Sequence, residues 1–252
     1  MQKLSKLLLI ISLSSYLPTN ALACTLSGAS FCEIFKVTRK IIKMCDPKDC
    51  MVIGIGRSPT PLIATLQNLH SNYASSIPLS NFRYNESNPL SKEDSQKLFL
   101  HFSNFLPNET VRNGRKLMII DYSLSGASIE SAKDYFLKYY SHQKGPQTGA
   151  MPVVESTAIA TSAFNSGARR LRADQVIIIP TDSDLAHHFV DGKFDACAEY
   201  GKFTVTVDPL PSLLEKNPLF LNYKKKLKKQ LSISACSIPT VLRMKRGGKI
   251  VE

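Results

Sequence analysis

Lys116-Leu-Met-Ile-Ile-Asp121-Tyr-Ser123-Leu124-Ser125-Gly126-Ala127-Ser128-Ile129 is the stretch whose reading decides the fold. An apolar run stops at an acid and enters a Ser/Gly turn. It then opens a helical pattern through Ala132, Tyr135, Phe136 and Tyr139. That order is a buried strand, a tight loop and a helix N-terminus. Backbone N–H groups at such a terminus point outward, and the helix dipole adds partial positive charge, so the place suits a phosphate. Ser123, Ser125 and Ser128 can add hydrogen bonds. Asp121, at the carboxyl end of the strand, is placed to meet sugar hydroxyls. From the residues alone, the loop suits a phosphorylated ribose.

The pattern repeats on either side. Residues 31–45 carry an amphipathic helix through Phe31, Ile34, Val37 and Ile41, with Lys and Arg on its other face. Met51-Val-Ile-Gly-Ile-Gly56 is a buried strand, and a helix follows from Pro61 to Leu69. A short strand is expected at 77–82, and one helix around Leu98, Phe99, Phe102, Phe105 and Leu106. The helix after Asp121 should run to about Tyr140, with a loop from His142 to Gly149. Strands are expected at Val153–Thr161, Gln175–Pro180 and Phe203–Val207. Thr181–Val190 reads as a short helix, and Leu213–Leu231 as a basic helix interrupted near Pro218. Strands alternating with helices predict an α/β fold, a mainly parallel sheet with helices on both faces and a Rossmann-like core. Neither a repeat nor a linker divides residues 24–252, so one domain is expected, ending in a basic helix and tail from about 208.

Residues 1–23 read as an export signal: Lys3 and Lys6, an apolar run from Leu7 to Leu13, and Ala21-Leu-Ala23 before Cys24. A lipoprotein signal also places a cysteine there. It usually has Leu three residues before it, whereas here that residue is Ala21, which favours cleavage over lipid anchoring. The apolar run is shorter than the ~20 residues of a membrane span, and no later segment is apolar enough for one. The expected location is periplasmic or secreted. Six cysteines, Cys24, Cys32, Cys45, Cys50, Cys197 and Cys236, then suit disulfides in an oxidising compartment. Cys45 and Cys50 can close a small loop ahead of the first core strand. Zinc is the weaker reading, because no C-x-x-C occurs.

Loss of Lys3 and Lys6 reduces the formal charge from +12 to +10. Such a basic chain can meet nucleic acid, an anionic membrane surface or a phosphorylated small molecule. The runs Lys224-Lys-Lys-Leu-Lys-Lys229 and Arg243-Met-Lys-Arg-Gly-Gly-Lys249 lack interleaved aromatics, and the chain has no Trp. That disfavours nucleic acid and leaves solvated faces as the plain alternative.

A second loop resembles the first in kind. Gly54-Ile-Gly56-Arg57-Ser58-Pro59-Thr60-Pro61 also lies between strand and helix. Its glycines allow close backbone approach, Arg57 offers a planar fork for phosphate, and Pro61 suits a helix start. Ligands of open parallel sheets bind outside the carboxyl ends of the strands.

These two loops, in this order and about 65 residues apart, resemble those of the type I phosphoribosyltransferases. In that family the first loop binds pyrophosphate. The later one carries two acids, two or three variable residues and Thr/Ser-Gly-x-Thr/Ser. Residues 116–129 match the later pattern, with one departure: Asp121 fills the second acid's place and Ile120 the first. The resemblance implies that Gly56, Arg57 and Ser58 contact pyrophosphate and that Asp121 holds the ribose. Tyr122, Ser123, Leu124, Ser125, Gly126, Ala127 and Ser128 would surround the 5′-phosphate. It implies Mg2+ near Asp121, and displacement of pyrophosphate at the anomeric carbon by a nitrogen nucleophile. A flexible loop closing over the site would fall within 83–114.

Other readings compete. Ser123 between strand and helix can be a hydrolase nucleophile, followed by Asp182 or Asp184 and then His187 or His188, although a nucleophile elbow has glycine where Asp121 and Ser125 stand. A cysteine-phosphatase reading of Cys50 and Arg57 fails, because six residues intervene instead of five. His187 and His188, adjacent on a helix, point about 100° apart and suit a surface pair better than a metal site. Tyr122 can stack on a base or simply pack. Ile120 also suits a phosphoribosyltransferase-like domain kept for nucleotide or phosphate binding without turnover. In the plainest alternative both loops merely connect core strands.

Overall fold

The computed structural model describes residues 28–79, 82–84, 87–108, 112–123, 125–144, 151–162, 172–190 and 218–233. In chain order these form α1 (Gly28–Met44), β1 (Cys50–Ile55), α2 (Thr60–Leu69), β2 (Ala74–Ile77), α3 (Lys92–Phe105), β3 (Lys116–Tyr122), α4 (Ala127–Lys144), β4 (Val154–Thr161), β5 (Gln175–Ile179), α5 (Asp184–Val190) and α6 (Pro218–Ile233).

All four strand pairs are parallel, and the sheet order is β2-β1-β3-β4-β5. This is one of the two common doubly wound orders, an α/β fold with a Rossmann-like core. Chain-adjacent parallel strands need a crossover, so helices must cover both faces. They do so in two apolar clusters. One joins Ile34, Val37 and Ile41 of α1 with Leu62, Ile63 and Leu66 of α2, Leu185 of α5, and the alternate residues Met118 and Ile120 of β3. The other joins Leu98, Phe102 and Phe105 of α3 with Tyr135, Phe136 and Tyr139 of α4, and Leu117 and Ile119 of β3. Every residue of β1 is buried, as the unbroken apolar run predicts.

Several local features have simple causes. Ser91 caps α3 by accepting the Asp94 N–H at 3.0 Å, and Glu93 and Asp94 suit the positive end of that helix. Pro61 stands in the first turn of α2. Gly54 leaves room for Ile63 to pack on β1; a Cβ there would stand 2.8 Å from Ile63 Cγ1. The Cys45–Cys50 disulfide, with Cα atoms 5.2 Å apart, clips the end of α1 to the start of β1, and Cys32 is disulfide-bonded too. Among the described residues no cysteine is free.

The structure also differs from the pattern reading. The strand expected at 77–82 is β2, Ala74–Ile77: its backbone pairs with Val52–Ile55, and Pro78 ends it. α4 continues through Lys144, so the loop expected from His142 starts later. α6 begins at Pro218, which opens the helix instead of interrupting it. The span 83–114, expected to hold a flexible closing loop, is occupied from 92 to 105 by α3, whose Leu98 and Phe102 are fully buried. The strand expected at 203–207, and the tail, lie outside the described residues. No helix among the described residues is long and apolar enough to cross a membrane.

His101 of α3 is buried, and its Nε2 lies 2.7 Å from the Pro78 carbonyl. Burial lowers its pKa to about 4, the Pro78 hydrogen bond opposing that only partly. The unfolded chain therefore takes up a proton near pH 6.5, and the native chain only near 4. Stability from this group is present above about pH 6.5 and is lost as pH falls through about 4, by on the order of 3 kcal/mol. Urea denaturation of wild type and His101→Gln at pH 7.5 and pH 4.5 should show that loss in wild type alone.

Candidate functional site

Both candidate loops leave the same edge of the sheet, from neighbouring strands. β1 and β3 pair in register up to Gly54 opposite Ile120, so the loops that begin at Gly56 and Ser123 follow from the same ends of adjacent strands. From β1 the chain turns to α2 on one face and on to β2. From β3 it turns to α4 on the other face and on to β4. The two loops diverge, and the sheet edge between them is the switch point at which open α/β sheets receive ligands.

The first loop is held firmly. Gly56 has φ +69°, and a Cβ on it would stand 3.0 Å from the Leu79 carbonyl oxygen. Its N–H donates to Ile77 O at 2.8 Å, and Ser76 Oγ donates to Gly56 O at 3.2 Å. Arg57 and Ser58 follow, both half-buried. The Arg57 carbonyl accepts from Thr60 N at 3.0 Å and Thr60 Oγ1 at 2.6 Å, which closes the turn into α2.

In the second loop, alternation along β3 separates the acid from its neighbours. Ile120 lies in the first cluster, fully buried, and Tyr122 packs against the same cluster. Burial raises its pKa, partly offset by a hydrogen bond with Thr161. Asp121 points to the other side of the sheet, toward the α4 side. The residue keeps some exposed surface, but its carboxyl is enclosed by protein. That desolvation pushes its pKa well above the usual carboxylate range, and a hydrogen bond from the Tyr122 N–H offsets it only in part.

The hydroxyls divide between two tasks. Ser123 is buried and its Oγ accepts the Gly126 N–H at 2.7 Å; Ser125 Oγ accepts the Ala127 N–H at 3.4 Å. These bonds shape the loop. Gly126 has φ +77°, and its carbonyl accepts the Glu130 N–H at 2.9 Å, the first turn of α4. Ser128 lies half-buried on that turn, and Ser125 is exposed beside it. Leu124 lies outside the described residues.

Sequence reading did not single out Arg172. Its backbone lies against Gly126: Arg172 N donates to Ser125 O at 3.2 Å, and a Cβ at Gly126 would stand 2.4 Å from Arg172 O. Its guanidinium reaches Glu130 at 3.2 Å, so a cation stands near the first turn of α4. The only signal in the sequence is the basic run Arg169-Arg-Leu-Arg172 between two apolar stretches, which does not say where it folds.

Ser123 Oγ is turned into its own loop, and among the described non-glycine residues only Asn72 and Asn113 have positive φ, so Ser123 lacks a left-handed, elbow-like backbone. Asp184 bonds Ser30 at 3.4 Å, and α5 follows β5, two strands from β3. Among the described residues no three His, Cys, Asp or Glu groups lie together as ligands for a metal ion. The pKa of the Asp121 carboxyl is pushed up by burial, and the first acid's place is taken by the core residue Ile120.

A scan of protein-family models finds none that matches this chain, and a search of curated proteins finds no match either.

Two consequences of this geometry can be measured. Gly126→Ala must place a Cβ at positive φ against fixed backbone, and should lower unfolding free energy by about 2 kcal/mol or more in urea titration. Asp121→Asn removes an ionisation that the fold opposes. Native Asp121 holds its proton above the unfolded value near 3.8, so wild type loses stability as pH rises from about 4 toward the raised native pKa. The variant should match wild type at pH 4 and exceed it increasingly toward pH 8.

Proposed function

We propose that this chain binds a phosphorylated ribose in the crevice between β1 and β3, as a phosphoribosyltransferase-like protein. The observation that carries the reading is the adjacency of two loops 65 residues apart in sequence, Gly56–Ser58 and Asp121–Ser128, at a topological switch point. The N-terminus of α4, with Ser125 and Ser128, would receive the 5′-phosphate, and Arg57 and Ser58 a further phosphate. A protonated Asp121 carboxyl can both donate to and accept from sugar hydroxyls, and it adds no negative charge beside a phosphate. Magnesium would have to arrive with the ligand's own oxygens, which is that ion's habit with phosphates.

Binding is better supported than transfer of the phosphoribosyl group to a base. The family pattern has two acids at the end of this strand, and here the first is an isoleucine sealed in the core. Retention of the fold for ligand recognition suits that substitution. Export through residues 1–23 belongs to the same proposal, and would bring the protein to its ligand outside the compartment of its synthesis.

Calorimetric titration of the oxidised protein with phosphoribosyl pyrophosphate and with ribose 5-phosphate, with and without Mg2+, tests the proposal. Wild type should bind, and Ser125→Ala/Ser128→Ala and Asp121→Ala should each weaken binding about tenfold or more, the loss expected for one or two charge-assisted hydrogen bonds. Silence from a folded wild type sinks the proposal. Release of pyrophosphate when bases are added would overturn the preference for binding over transfer.

A further inference from the structure

The surplus positive charge is concentrated on one side of the sheet. α1 carries Lys36, Arg39, Lys40 and Lys43 against Glu33. α6 carries Lys224, Lys225, Lys226, Lys228 and Lys229 and no acid. Between them lies α2, which packs against both and has no charged residue, while α5, in the same layer against α1, adds the single acid Asp184. On the opposite side the charges nearly cancel: two lysines face two acids in α3, and three lysines face two acids in α4. A solvated helix needs no such segregation. One helical layer of this molecule is a cationic surface and the other is not.

Two apolar features accompany the charge. Between α1 and the end of β5 runs a groove of about 370 Å³, lined by the four α1 cations and Glu33 together with the apolar Val37, Ile179 and Pro180. Leu69 at the end of α2 and Leu221 on α6 are 37% and 48% exposed. Asn68 donates to Lys224 O at 3.0 Å, and Lys224 Nζ donates to Gln67 Oε1 at 2.9 Å, so α6 is tied to α2 as part of the same layer.

We propose that this layer, α1 with α2 and α6, docks on the headgroups of anionic phospholipid bilayers. Cationic charge spread over two helices matches a planar anionic surface. The apolar residues of the groove and the exposed leucines match the apolar boundary just beneath the headgroups, which a nucleic-acid backbone would leave unused. The aromatic rings of α6, Phe220 and Tyr223, are buried inward, so that helix offers no stacking platform for bases. Its apolar side, with Leu227, is buried in the fold, and docking is therefore peripheral, with the helix lying on the bilayer and not inserted in it. This surface is distinct from the β1/β3 crevice, and the inference does not rest on the reading of that site.

Co-sedimentation of the full oxidised chain with vesicles tests it. Phosphatidylcholine vesicles containing 30% phosphatidylglycerol should bind the protein at least tenfold more tightly than pure phosphatidylcholine at 0.1 M salt, and 0.5 M salt should release it. Two triple variants, Lys36→Glu/Lys40→Glu/Lys43→Glu and Lys225→Glu/Lys228→Glu/Lys229→Glu, should each lose tenfold or more. The same net change on the opposite side, Lys92→Glu/Lys97→Glu/Lys138→Glu, should keep most of the binding. Equal loss in all three would reduce the effect to net charge and overturn the assignment of the face. So would equal binding to neutral vesicles. Tighter binding to a 30-nucleotide strand or duplex than to the anionic vesicles, lost in the same lysine variants, would reassign the surface to nucleic acid.

Discussion

The parallel pairing of β1 with β3 is the constraint on which the rest of the structure depends. These strands are separated by α2, β2 and α3 in the chain, yet they sit side by side from Cys50 opposite Lys116 to Gly54 opposite Ile120. Parallel neighbours cannot be joined by a hairpin, so each must be reached through a crossover that covers a face. The helix after β1 covers one face and the helix after β3 the other. The same pairing brings the loops that follow β1 and β3 to one edge, where their helices diverge to opposite faces.

Small structural devices hold that edge in shape. Gly126 lies against the Arg172 backbone, and Gly56 lies against Leu79, whose neighbour Pro78 is held by His101. Each loop thus rests on a segment far from it in sequence. Several of the loop N–H groups are satisfied within the fold: Gly56 donates to Ile77 O, and Gly126 and Ala127 donate to serine hydroxyls. Serine hydroxyls complete the shape from inside, Ser123 most fully.

A one-residue difference carries much of the functional meaning. Along a strand, successive side chains point to opposite faces, so Ile120 and Asp121 belong to different environments. Ile120 completes an apolar cluster with Val52 and Ile159, where an ionised acid would be expensive. Asp121 reaches the α4 side at the sheet edge, where desolvation of the enclosed carboxyl pushes its pKa up. The segregation of cations onto α1 and α6 is a separate property of the fold, set by which helices share a face.

Much of this was legible in the sequence for a physical reason: strands buried on both faces leave unbroken apolar runs, and helices leave a 3.6-residue period. Met51–Ile55, Lys116–Asp121, Val154–Thr161 and Gln175–Ile179 were therefore visible, as were α1, α2 and the Ser/Gly turn that opens α4. The Cys45–Cys50 bridge was legible from spacing alone. β2 was displaced by a few residues, because Ala74-Ser-Ser-Ile77 has almost no apolar signal and is a strand only through its pairing with β1. The role of Arg172, the packing of Tyr122 and the raised pKa of Asp121 were not legible, since each depends on a partner distant in the chain or on exclusion of water. The same holds for the cationic layer: the sequence by itself determined that α1 and α6 are basic, and only tertiary structure put them on one face, because the sheet's crossovers choose the side on which each helix packs.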